Sequence, residues 1–336
     1  LAEIIQRVRP QVLLLQEFDH QGEQDGLGAF RSLYLAIGQG GAQPIHYEHA
    51  FLAPSNTGQP SGFDLDRDGT IDGPGDALGY GSHPGQYAFV ILSQLPIVEE
   101  NIRTFQHFLW RDMPEGRLPH LPDDAGTQWY EPAALDRLPL SSKNHVDVPV
   151  RVGGEVLHLI AAHPTPPVFD GDENRNGLRN FDEIRFISDY INPQRSNYIV
   201  DDGGDRGGLA RNAKFVILGD LNADPEAGDA ETGAIGQLLE NPLVHRGAAL
   251  GPHVPTSTGS QQVDGRPGRT NRGSLTARWG LRVDYVLPSA ELVIEDSGVF
   301  WPAPGEVGAH LMAQADGEDL SSDHRLVWVD LAIPSP

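Results

Sequence analysis

The sequence predicts an α/β protein built on more than one β-sheet. Six short apolar runs are rich in Val, Leu and Ile and lack strict alternation, as strands covered on both faces do. Helical periodicity lies between some of them. Acids and histidines sit at or beside the ends of the runs, the pattern of a site assembled from strand ends.

In chain order, "LAEIIQRVRP" reads as a helix with Leu1, Ile4, Ile5 and Val8 on one face and Pro10 ending it. A native chain seldom begins inside a helix, so upstream residues, including any signal peptide, are expected to precede it. The first strand is "QVLLLQEF" (11–18), with Glu17 near its end, and "YAFVILS" (87–93) is the next. "EVLHLIAAH" (155–163) delivers His163. "FDEIRFISDYI" (181–191) is the clearest amphipathic helix, with Ile184, Ile187 and Ile191 near one face. "KFVILGD" (214–220) ends on Asp220, "LRVDYVL" (281–287) contains Asp284, and "RLVWVDLAI" (325–333) follows Asp323 and His324. Long Gly/Pro-rich polar segments interrupt the pattern at 54–86, 111–141, 201–212 and 251–275. No repeat, linker or composition shift divides the chain, so residues 1–336 read as a single domain with large insertions.

Composition narrows the function classes. With 39% hydrophobic residues and a mean hydropathy of −0.34, the 336-residue chain reads as globular. No apolar run approaches the ~20 residues of a membrane span, and a monomer is expected. A formal net charge of −23 opposes broad electrostatic binding to nucleic acid or anionic membrane. It leaves room for a local site where a metal ion supplies positive charge. With no cysteine, disulfide and thiolate chemistry are excluded.

Each polar cluster is weak alone. Asp220-x-Asn222 is an ordinary turn sequence, Asp323-His324 suits a cap or surface loop, and a lone histidine such as His163 is usually structural. Their joint order is more specific. "LLLQE", "ILS", "AAH", "GDLN", "VDYVL" and "SDH", in that succession, resemble the motifs of the endonuclease/exonuclease/phosphatase superfamily, which includes deoxyribonuclease I. The resemblance runs from about residue 1 to 333. It implies a deoxyribonuclease I-like four-layer sandwich, with two packed mixed β-sheets flanked by helices. It also implies phosphoester hydrolysis with Mg²⁺ or Mn²⁺.

By motif match, Glu17 would be the main metal ligand, and Asp323 would sit beside the metal or hold it through water. Asp220 would orient or deprotonate the attacking water, and Asn222 would hold a phosphate oxygen. Asp284 would pair with His324, and His163 would lie across the scissile phosphate. The family's first-strand Asn is absent and is expected upstream. Gln86 stands near the place where some members back the first histidine with a carboxylate. The residue types suit the chemistry. A hard cation held by carboxylates neutralises charge developing at phosphorus, and a carboxylate-oriented imidazole exchanges a proton near neutral pH. Lys143 and His145 precede a strand that should adjoin the His163 strand, which makes them substrate-binding candidates.

Two stretches match calcium loops. In "FDLDRDGTIDGPGD", Asp64, Asp66 and Asp68 take positions 1, 3 and 5, Gly69 position 6, the Thr70 carbonyl 7 and Asp72 position 9, with Asp76 placed to close the cage. In "DENRNGLRNFDE", Asp172, Asn174, Asn176, Gly177, Asn180 and Glu183 fit the whole consensus, although Asn180 or Glu183 would equally serve as a helix cap or substrate contact. Neither stretch is flanked by paired helices, so structural Ca²⁺ is expected rather than a sensor switch. The leading expectation is a secreted, extracellular or periplasmic, metal-dependent phosphodiesterase with a His/Asp acid–base pair. The competing readings are an extracellular nuclease on DNA or RNA and a non-catalytic calcium-binding module.

Overall fold

A computed structural model of the chain describes residues 1–21, 25–263, 270–312, 314–315 and 318–334. Strands β1 (Val12–Gln16), β2 (His49–Leu52) and β3 (Phe89–Ser93) form an antiparallel sheet in the order β1-β3-β2. Strands β4 (Arg103–Thr104), β5 (His145–Val152), β6 (Glu155–Ala162), β7 (Lys214–Asp220) and β8 (Asp284–Pro288) form a second sheet in the order β8-β7-β6-β5-β4. Its β6–β7 pair is parallel and its other pairs are antiparallel, so this sheet is mixed. A parallel pair needs a crossover connection, and a helix, α2 (Arg175–Tyr190), lies within it. Helix α1 (Ala2–Val8) precedes β1, and strands β9 (Val293–Val299) and β10 (Val327–Ala332) pair with each other.

Burial explains why the runs lack alternation. Phe89 and Ile91 of β3 pack in one cluster with Val146, Val148 and Val150 of β5, Leu157, Leu159 and Ala161 of β6, and Val216 and Leu218 of β7. Between them, Val90 and Leu92 turn to the opposite face and join Ala2 and Ile5 of α1. Ile160 and Ala162 of β6 likewise face Ile184 and Ile187 of α2. A strand covered on both sides places an apolar residue at every position. Each such side chain contributes roughly 1.5–3 kcal/mol on burial.

Two strand boundaries differ from expectation for local reasons. Strand β1 stops at Gln16 because Glu17 adopts a left-handed backbone, φ 54°. Strand β8 begins only at Asp284 because the preceding residues close a tight turn, in which the Thr276 and Ala277 amides donate to the Leu281 carbonyl at 2.9 and 3.0 Å. The insertion at 111–141 carries two short strands and a one-turn helix, and 264–269 of the insertion at 251–275 lie outside the described residues. Among the described residues, no helix is long and apolar enough to cross a membrane.

The largest departure is at α2, which starts at Arg175, six residues before its apolar periodicity. Its first turns bury Arg179, Asn180, Asp182 and Glu183, polar residues that a hydrophobic pattern does not detect. The second calcium loop is therefore not formed. Helix α2 begins at the fourth position of the pattern, so the chain winds helically from Arg175 where a calcium loop would keep wrapping round the ion. Asp172 is exposed, the Asn174 amide donates to Glu231 at 2.8 Å, and the Asn176 amide donates to the Val168 carbonyl at 2.7 Å. Asn180 donates to the Thr165 and Leu221 carbonyls, and Glu183 accepts from the Ser142 and Thr165 amides.

Candidate active site

Strand register gathers the central residues. Asp284 at the start of β8 lies directly opposite Asp220 at the end of β7. Opposed residues of an antiparallel pair point to the same face, so two carboxylates meet there. Strand β6 runs parallel to β7, so His163, one residue past its end, arrives beside Asp220. His324 comes from the segment before β10. That segment is fixed by pairing of His324 with Ala277 and by the Arg325 amide donating to the Thr276 carbonyl at 2.8 Å.

His324 Nδ1 lies 3.0 and 3.1 Å from the two carboxylate oxygens of Asp284. Its Nε2 is 3.7 Å from Asp220 Oδ2, and His163 Nε2 approaches the same oxygen from 3.6 Å. One carboxylate oxygen thus stands between two imidazoles, at ion-pair rather than hydrogen-bond distance.

The electrostatics split the two histidines. Burial disfavours the His324 cation, but Asp284 and Asp220 outweigh it and raise its pKa to about 10. Burial pushes His163 well below the ordinary imidazole value, and the charges of Lys143 and His324 push it further. Burial, then the Asp284 charge, raises Asp220 to about 7. Near neutrality the site therefore holds a cationic His324, a neutral His163 and an Asp220 able to exchange a proton.

Neighbouring groups hold this geometry. Asn222 has a left-handed backbone, φ 52°, its amide N–H donates to Asp220 Oδ1 at 2.8 Å, and its side chain donates to the Pro164 carbonyl at 3.1 Å. One hydrogen of the Asn222 side-chain amide is left for a ligand. The Thr276 hydroxyl accepts from the Val283 and Asp284 amides at 3.0 and 3.1 Å. Gln16, from the other sheet, accepts from the Asp220 amide at 2.5 Å and donates to the Ala162 carbonyl at 3.1 Å. Sequence reasoning missed Gln16. Its signal was an amide side chain at the end of an otherwise apolar strand.

Other predicted residues fall at varying depth. Glu17 is exposed, one residue past Gln16, and its charge reaches Lys143. Asp323 is exposed beside His324 and contributes to raising that imidazole's pKa. The carboxylate and imidazole atoms that lie within 4.8 Å of one another are those of Asp220, Asp284 and His324, and Glu17 and Asp323 stand outside that group. Lys143 is buried, which lowers its pKa, while Glu183, Glu17 and Asp220 act in the opposite direction. Gln86 does not back His163, because its carbonyl accepts from the Ser82 amide at 2.6 Å. His163 Nδ1 is buried with no hydrogen-bond partner among the described residues.

The assignment of His145 to substrate is corrected. It is buried beneath α2, with Nε2 3.1 Å from the Glu183 carbonyl and its ring 4.9 Å from that of Phe186. A side chain enclosed there has no route to a ligand. Glu183 has a different task from the expected calcium ligation. Its two oxygens accept from the Ser142 amide at 3.0 Å and the Thr165 amide at 2.6 Å, which ties the Lys143 loop to the segment after His163.

The first acidic loop is formed. Carboxylate oxygens of Asp64, Asp66 and Asp68 lie within 4.8 Å of one another, and Gly69 takes the left-handed φ of 91° that the turn requires. Asp64 Oδ1 is buried with no hydrogen-bond partner among the described residues. Burial, with the charges of Asp76 and Asp68, raises the Asp66 pKa. Asp76 is turned to the backbone, accepting from the Leu65 amide at 2.8 Å and the Gly73 amide at 3.1 Å. Asp72 is exposed and outside the cluster.

Comparison with protein families matches residues 1–324 to the Endonuclease/Exonuclease/phosphatase family. No curated protein sequence matches the chain. Among solved structures, an endonuclease/exonuclease/phosphatase from Beutenbergia cavernae DSM 12333 matches at 16% identity and a TM-score of 0.48, over 98% of this chain and 64% of that one. A family protein from Leptotrichia buccalis C-1013-b matches at 12% identity and 0.48, over 99% and 91% of the two chains. A beta toxin from Staphylococcus aureus, solved with bound magnesium ions, matches at 15% identity and 0.47, over 96% and 89%.

Proposed function

Because the chain belongs to the endonuclease/exonuclease/phosphatase family of phosphoester hydrolases, we propose that it is a metal-dependent phosphodiesterase whose reaction centres on Asp220, His324 and His163. The observation that carries this reading is Asp220 Oδ2 set 3.6 and 3.7 Å from the Nε2 atoms of two histidines, His163 pushed towards the neutral form and His324 towards the cation. Asp220 accepts a proton from the attacking water. His324, aligned and held protonated by Asp284, donates a proton to the leaving oxygen. His163, neutral, donates a hydrogen bond to a phosphoryl oxygen, as does the remaining Asn222 amide hydrogen. Lys143 lies behind them, its charge opposed by burial and favoured by Glu183, Glu17 and Asp220.

The donor set fits a hard divalent cation such as Mg²⁺ or Mn²⁺. Crowded carboxylates at Asp220 and Asp284 favour a nearby cation, and Glu17, next to Gln16, and Asp323, next to His324, are exposed carboxylates that would add to its ligands. When bound, the ion neutralises charge that develops at phosphorus. The finer architecture we infer is one domain of four layers: α1, the three-stranded sheet, the five-stranded sheet and α2. A structural Ca²⁺ at Asp64, Asp66 and Asp68 is part of the same reading, with the buried, unpartnered Asp64 Oδ1 as its support. It suits a protein working where calcium is plentiful, outside the cytoplasm.

The test is hydrolysis of bis-p-nitrophenyl phosphate with Mg²⁺ or Mn²⁺. His324→Ala is expected to lower kcat by about 10²–10⁴-fold while the fold is retained. A wild-type protein inert with either metal would sink the reading. Cleavage of plasmid DNA in preference to the small diester would move it to a nuclease.

A further inference from the structure

We propose that Trp279 is a stacking platform that holds the planar base of a small nucleotide against the His324 side of the active site. The inference rests on the phosphodiesterase reading and names a substrate class for it. Trp279 is 42% exposed, and its ring meets that of His324 at 4.9 Å between centroids and 81° between planes. An edge-to-face contact of this kind leaves at least one indole face free of the imidazole.

The indole is held in place by its backbone. It sits at the tip of the turn closed by the Gly280 amide donating to the Ala277 carbonyl at 3.0 Å, with Gly280 at φ 84°. The Arg278 amide donates to the Asp323 carbonyl at 2.9 Å, and Ala277 pairs with His324. The turn and the catalytic segment are thus hydrogen-bonded to each other through the residues that lead into Trp279, Thr276 to Arg278. Packing does not require an indole here, because the apolar cluster of the turn consists of Ala277, Leu281 and Val283 with Ala227 against it.

The chemistry selects the occupant. A flat, rigid aromatic surface beside an imidazolium favours a planar ring over an alkyl chain. The net charge of −23 repels an extended polyanion, whereas a single phosphate meets Lys143 and His324. Burial, then the Glu17 charge, raises the Tyr87 pKa, so an aromatic ring also stands near Glu17.

Binding measurements separate this role from one of only shielding His324 from water. The affinities of adenosine 5′-monophosphate and of glycerol phosphate, which lacks a ring, are compared by calorimetry in Mg²⁺. Wild type is expected to prefer the nucleotide by about tenfold. Trp279→Ala should erase the preference while leaving glycerol phosphate unchanged, and Trp279→Phe should keep most of it. No preference in wild type, or equal weakening of both ligands in Trp279→Ala, overturns the proposal. Ring-selective binding by a wild type that hydrolyses no diester would support the platform and sink the hydrolase reading.

Discussion

Two stretches of this chain carry nearly the same calcium-loop pattern, and they fold differently. Residues 64–76 make a loop whose three carboxylates converge, whereas residues 172–183 lead into a helix whose polar side chains are turned to backbone groups. The stretch with the better consensus, complete to its final Glu183, is the one that makes no loop. What separates them is burial. The first lies on the surface, where its three carboxylates crowd one another. The second lies between the sheet and the Lys143 loop, where Asn180 and Glu183 are fully buried and claimed by amides and carbonyls that would otherwise be unsatisfied. Burial thus decides whether the same polar pattern stays a surface loop or is absorbed into a helix.

The contrast is sharpest at Glu183. Glu183→Ala removes the acceptor of two buried amides and leaves the nearby Lys143 and Arg179 charges uncompensated. A loss of about 3–5 kcal/mol is expected in denaturant unfolding, equal with and without calcium. A calcium-dependent loss would restore the second loop. Next in size, removal of calcium with EDTA should cost the wild type about 3 kcal/mol at a hundredfold excess over Kd, and Asp64→Asn should abolish that response. An unchanged melting temperature would break the comparison from the other side.

Asn176→Ala should cost about 1 kcal/mol through loss of its bond to the Val168 carbonyl, again without calcium dependence. The smallest effect is in pH. Burial lowers the His145 pKa beneath α2, so the unfolded chain binds a proton that the folded one refuses. Stability should therefore fall as pH drops below the ordinary imidazole value of about 6.5, and should be indifferent to that group above it. Melting curves in EDTA between about pH 7.5 and 5 would be steeper for wild type than for His145→Gln, by about 1 kcal/mol over the range. Equal slopes would mean that His145 is not enclosed.

Much of the fold was legible because its strands are covered on both faces, and such strands announce themselves as unbroken apolar runs. The positions of His163, Asp220, Asp284 and His324 were legible because strand ends deliver them, and chain order preserves strand order. The start of α2 was not, because Arg179, Asn180, Asp182 and Glu183 stabilise it through polar burial that has no hydrophobic period. His145 read as a substrate contact because a histidine at the start of a strand says nothing about what will cover it. Gln16 and Trp279 matter through partners about 200 and 45 residues away, on Asp220 and His324, and no local pattern encodes such distances.

The pairing of Asp284 with Asp220 has a consequence for quality control. A slip of one residue between β7 and β8 would send the two carboxylates to opposite faces of the sheet, while strands that are apolar on both faces would still bury apolar side chains. Such a chain would be compact and catalytically silent. Turnover per molecule therefore acts as a proofreading signal, reporting the fraction of molecules whose strands have locked one particular alignment, which a melting curve alone would not distinguish.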